Sequence, residues 1–148
     1  MRKRTLARQA ALQALYQWDV QGDEFAAQLD RFLQEWAKAP EVADFARELV
    51  EGVRSNLPEI DKAISAVARN WSLDRMAAVD RTVLRLGAYE LLHRDDIPPN
   101  VSINEAVDLA KKFSTKDSGA FVNGVLDHIM TGAPKKAKGA QSAAKSAS

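Results

Sequence analysis

Arg2, Lys3, Arg4 and Arg8 put four cations into the first eight residues with no acid among them. Guanidinium and ammonium groups at that density bind phosphate. They run straight into the apolar-periodic segment from Leu6 to Asp19, so the cations sit at a helix start. Two aromatic residues fall beside core stripes rather than on them: Tyr16, one residue off the Leu15/Trp18 face, and Phe121, next to Lys116 near the start of the last helix. Aromatic rings combined with cations are the chemistry that reads unpaired nucleobases. Trp18, Trp36 and Trp71 fall at helical spacing with aliphatic residues and are expected in the core.

Catalytic chemistry is not indicated. His93 and His128 lack the spacing that would put two ligands on one helical face, and Asp95-Asp96 stand in a proline-containing turn. There are no cysteines, which removes thiolate metal sites, disulfides and a thiol nucleophile. No glycine-rich loop is available to cradle a nucleotide, the seven glycines being scattered. The expectation is a binding protein without catalytic residues, metal or cofactor.

The overall charge conceals the basic ends. Across 148 residues, 21 Lys and Arg stand against 20 Asp and Glu, for a net charge of +1. Lys135, Lys136, Lys138 and Lys145 lie in a C-terminal stretch without acids, so the two ends hold eight cations and residues 9–133 carry −7. An acidic body with basic ends favours local, oriented contact with nucleic acid over general coating. No apolar run is long enough for a membrane span, and the N-terminus does not read as a signal peptide, so a cytoplasmic protein is expected.

Helical periodicity runs along nearly the whole chain and no strand pattern competes with it. Thr5 is placed to cap a first helix to about Val20, and Asp23 a second carrying Phe25, Leu29, Phe32, Leu33 and Trp36. Pro40 suits the first turn of a third helix ending near Ser55, and Pro58 opens a fourth with Ile60, Ile64, Val67 and Trp71 inward. A turn over Leu73–Met76 precedes a long fifth helix through Leu92, and residues 94–100, with Pro98-Pro99, read as a loop. The S-x-x-E spacing of Ser102 and Glu105 predicts a capping box starting a helix at Ile103. Ser114 and Asp117 repeat that pattern before the last helix. The composition after Gly132 predicts a disordered tail. The fold class is therefore all-α: about seven helices in two packed groups dividing near Trp71-Ser72. Residues 1–8 form a basic arm, 5–132 the helical domain and 133–148 a Lys/Ala/Ser tail.

Four segments together carry a resemblance: ALQALYQWD at 11–19, VDRTVLRLGAYELL at 79–92, PPNVSINEAVDLAKKFS at 98–114 and KDSGAFVNGVLDHI at 116–129. In this order and spacing they resemble the NusB family of transcription antitermination factors. The resemblance implies an all-helical protein that pairs with NusE, a small-subunit ribosomal protein. It also implies binding to boxA single-stranded RNA and entry into the RNA polymerase antitermination complex that supports ribosomal RNA transcription. It places RNA contacts at Arg2, Lys3, Arg4, Arg8, Lys116, Asp117 and Phe121, and the NusE-facing surface at Tyr16, Asp80 and Arg81. Monomer and homodimer both remain open. The alternatives are a helical DNA-binding regulator and a pure protein-interaction module. For the former, the candidate recognition helix from Ile103 to Phe113 has Glu105 and Asp108 early and its lysines only at the end.

Overall fold

The computed structural model describes residues 2–132, and the expected tail at 133–148 lies outside them. Among the described residues there are seven α-helices and two short 3-10 turns, and no strand. The helices fall into two compact units that divide between Ser55 and Asn56.

The first unit holds α1 (Lys3–Gln21), a 3-10 turn over Asp23–Gln28, α2 (Leu29–Trp36) and α3 (Pro40–Ser55). Alanines at 7, 10, 11 and 14 are fully buried along α1. Their small side chains give α1 a close-packing face, while Val42, Phe45, Ala46, Leu49, Val50 and Val53 form the apolar stripe of α3. Gly22 ends α1 with φ +85, a conformation that disfavours any side chain, and its N–H donates to the Trp18 carbonyl at 2.8 Å. Polar ties close the unit: Arg47 donates to Asp30 on α2 at 2.8 Å, and Arg54 lies 4.6 Å over the Trp18 ring.

The second unit holds α4 (Leu57–Val67), a 3-10 turn over Leu73–Arg75, α5 (Ala78–His93), α6 (Pro99–Phe113) and α7 (Lys116–Gly132). Its core is built from Ile60 and Ile64 of α4, Val83, Leu84, Leu86 and Leu91 of α5, Ile103 and Leu109 of α6, and Val122, Leu126 and Ile129 of α7. Arg85 grips Asp61 through two hydrogen bonds, 2.8 and 3.0 Å long, which ties α4 to α5. Glu90, 1% exposed, accepts a 2.7 Å hydrogen bond from the Ser102 hydroxyl, which locks α5 to α6 in the interior.

Several expectations from the sequence are corrected. The first helix starts at Lys3, because the Leu6 N–H already bonds the Arg2 carbonyl at 3.1 Å, and Thr5 lies inside the first turn rather than capping it. Residues 23–28 wind as a 3-10 turn before α2 proper. The sixth helix begins at Pro99, not Ile103: Pro98 is the flanking residue and Pro99 takes the first helical position, where its missing N–H costs nothing. Ser102 is then interior, its hydroxyl engaged by Glu90, so no capping box forms. At α7 the cap is Thr115, whose Oγ1 accepts the Ser118 N–H at 3.2 Å. The division between units falls at Ser55, since α4 packs with α5 through Asp61 and Arg85. Trp36 and Trp71, expected inside, are 38% and 55% exposed, while Trp18 is half-buried. Trp36 is the last residue of α2, and Trp71 lies beyond the end of α4, where helical spacing no longer applies.

Candidate nucleic-acid interface

In the first unit the arm forms the opening turns of α1. Arg2, Lys3 and Arg4 are exposed, and no acid stands in the first turn of the helix. The positive dipole end of α1 therefore adds to three side-chain cations, a combination that favours anions. Two of these cations are oriented by α3. Lys3 Nζ donates to Glu41 Oε2 at 2.9 Å, and the Arg4 guanidinium lies 4.2 Å from the centre of the Phe45 ring. The Lys3 hydrogen bond, with smaller contributions from Glu41's own backbone amide and the Lys3 charge, holds the Glu41 carboxyl below its ordinary range. The Glu41 carboxyl is thus ionised at neutral pH, and its attraction for Lys3 is lost as pH falls through that lowered value. Arg8 differs from expectation. It is 3% exposed, one turn further along the same face, with its guanidinium 5.6 Å from Phe45. It supports the arm from within instead of projecting to solvent. Tyr16 lies on the same helix and is half-buried.

In the second unit the start of α7 gathers the remaining residues. Lys116 and Asp117 are exposed on its first turn, and Phe121 follows one turn later, half-buried. That turn is fixed from below. Ser118 is buried and donates its hydroxyl to Asp80 Oδ2 at 3.0 Å, while Ser114 and Thr115 both lie 3.0 Å from the same Ser118 oxygen. Asp80 Oδ1 is buried with no hydrogen-bond partner. Arg81 donates to the carbonyls of Leu73 at 2.9 Å and Met76 at 3.3 Å, closing the 3-10 turn before α5. Asp80 and Arg81, expected to face outward to a protein partner, therefore turn toward their own unit and hold the segments beside them.

The residue missed by sequence reasoning is Trp71. Its ring meets Phe121 edge to face, with centroids 6.3 Å apart and planes at 66°, and both rings border a cavity of about 250 Å³ edged by Arg75, Met76, Asp80 and Asp117. The signal lay in Asn70-Trp71-Ser72: polar neighbours flank an aromatic just past the last residue of α4. The two histidines are occupied separately, His93 with Glu59 at 3.1 Å and His128 Nδ1 donating to the Gly124 carbonyl at 3.0 Å. Among the described residues no cluster of acids and histidines could hold a metal ion, and no helix is long and apolar enough to cross a membrane.

Among the described residues, an all-helical fold with a cationic helix start and an aromatic pair, Trp71 exposed and Phe121 half-buried, carries the features of a protein that binds nucleic acid. The chain belongs to the NusB family, whose model matches residues 5–131. It is 51% identical over 138 residues to the transcription antitermination protein NusB of Anaeromyxobacter dehalogenans (strain 2CP-1), covering 93% of this chain and 96% of that one. To the NusB of Geobacter sulfurreducens it is 48% identical over 137 residues, covering 92% and 99%. The structure of T. maritima NusB superposes with a TM-score of 0.79 at 40% identity, covering 90% of this chain and 95% of that one. A crystal structure of antitermination factors NusB and NusE in complex with dsRNA matches with a TM-score of 0.79 at 34% identity, covering 88% and 98%.

Proposed function

We propose that this protein is a transcription antitermination factor that pairs with NusE, binds boxA as a single strand and joins the RNA polymerase complex in the cytoplasm to support ribosomal RNA transcription. It acts by binding, without catalysis of its own. The observation that carries this reading is the acid-free, tri-cationic start of α1. A relative solved with NusE in complex with dsRNA supports the NusE and RNA parts of this reading. Arg2, Lys3 and Arg4 neutralise phosphates, with Arg8 holding their helix in place. At α7, Lys116 adds a further cation, Asp117 faces the strand as a polar contact, and Phe121 stacks a base. Tyr16 is the residue assigned to the NusE surface, and Asp80 and Arg81 contribute to it through the segments they hold.

Replacing Arg2, Lys3 and Arg4 together by alanine tests this directly. Loss of three phosphate contacts on a single strand should flatten the slope of log affinity against log salt by about 2. Anisotropy titration of a boxA oligoribonucleotide from low to high salt measures it, and a slope unchanged from that of the parent would remove the arm from the interface.

A further inference from the structure

The aromatic pair at the start of α7 has a second side. A further cavity of about 300 Å³ is bordered by the same two rings together with Arg69, Asn70, Gly124 and His128. Trp71 and Phe121 are thus a common wall with an opening on each side. The rings meet edge to face at 6.3 Å, which leaves no parallel gap for a base to enter between them. Their remaining surface is available to the two cavities, and 55% of Trp71 is solvent-accessible, a high exposure for so large an apolar side chain.

We propose that this wall seats two consecutive unpaired nucleobases, one in each cavity, so that the RNA footprint continues past Phe121 along α7 toward His128. The inference rests on the RNA-binding reading above. The two cavities differ in what they offer. The first is edged by Arg75 and Asp117, suited to charge contacts. The second offers the Asn70 amide and the His128 ring. Because His128 Nδ1 donates to the Gly124 carbonyl, the neutral ring keeps Nε2 as an acceptor. An amide and a ring acceptor are groups that hydrogen-bond base edges, whereas a stacking wall alone tolerates any base. The floor is clear as well: a Cβ built on Gly124 meets nothing within 4 Å. Arg69 at the rim, held to the Ala66 carbonyl at 3.3 Å, supplies positive charge for the linking phosphate.

Abasic scanning of a boxA single strand, combined with protein variants, tests the proposal. Trp71→Ala should weaken binding at least about fivefold without changing the salt slope. The loss should shrink when either of two adjacent nucleotides is abasic and disappear only when both are. Gly124→Leu fills the second cavity from an open helical position and retains the fold even if Trp71→Ala does not. It should abolish the contribution of one of those two nucleotides and leave the other intact. Wild-type binding by both variants, or coupling confined to a single nucleotide, overturns the two-base wall. If Phe121→Ala and the arm variant still weaken binding in that case, the RNA-binding reading survives and only the extended footprint is lost. If the unaltered protein shows no salt-dependent RNA binding, both fall together.

Discussion

Gly87 marks the tightest approach in the second unit: a Cβ added there would lie 2.6 Å from Leu126 Cδ1 and 3.3 Å from Ala106 Cβ. Leu126 is fully buried and has little room to yield, so Gly87→Ala should destabilise by about 1–3 kcal/mol despite the better helix propensity of alanine. Urea denaturation checks it, and an increase in stability would mean that α7 shifts freely. Asp80 poses a sharper choice. A rim acid facing a protein partner could be removed at no cost to the fold, whereas the observed carboxylate accepts from buried Ser118. Asp80→Ala should therefore lower stability by about 1–3 kcal/mol. It should also weaken RNA binding, by loosening the turn that carries Lys116 and Phe121. An unchanged melting midpoint combined with lost NusE affinity would mean that Asp80 meets the partner directly rather than through the turn it holds.

Among the elements, α4 is tied to α5 by a two-pronged polar clasp and by the Glu59–His93 contact. Its apolar contribution is narrow, Ile60 and Ile64 being its fully buried side chains, and the two-pronged Arg85–Asp61 pair supplements them. Asp61→Ala should cost about 1–3 kcal/mol and speed amide exchange in Leu57–Val67 ahead of α5 and α6. Uniform exchange rates across the unit would show the clasp to be dispensable. The same element shows what periodicity reveals and what it misses. Ile60 and Ile64 were legible because four-residue spacing marks a buried face wherever a helix continues. Trp71 was not, because spacing alone gives no sign that α4 stops at Val67. Proline and capping signals had a similar limit. Pro40 and Pro58 mark the first turns of α3 and α4, as their fixed φ requires. Pro98-Pro99 reads as loop although Pro99 begins α6, and the Ser102–Glu105 spacing looks like a cap because nothing local reveals that Glu90, twelve residues earlier, takes the hydroxyl. For the candidate site, the cations of the arm were visible in composition, while the burial of Arg8 and the Trp71–Phe121 wall arise from tertiary placement.

At the scale of the whole molecule, segregated charge governs encounter more than residence. With −7 over residues 9–133 and eight cations at the ends, an approaching strand is repelled by the body and drawn toward the termini. Removing residues 134–148 deletes four lysines and no acid, taking the net charge from +1 to −3 without altering any proposed contact. Association with RNA should slow by about two- to tenfold at low salt. Because the Debye length shrinks from about 10 Å at 0.1 M to about 3 Å at 1 M salt, the difference should vanish as salt rises. The dissociation rate should not change. Stopped-flow measurement of both rates across that salt range separates steering from binding. A faster dissociation in the shortened chain, or a deficit that persists at 1 M salt, would mean that the lysines grip the bound strand, and the RNA surface would then have to include the C-terminal segment.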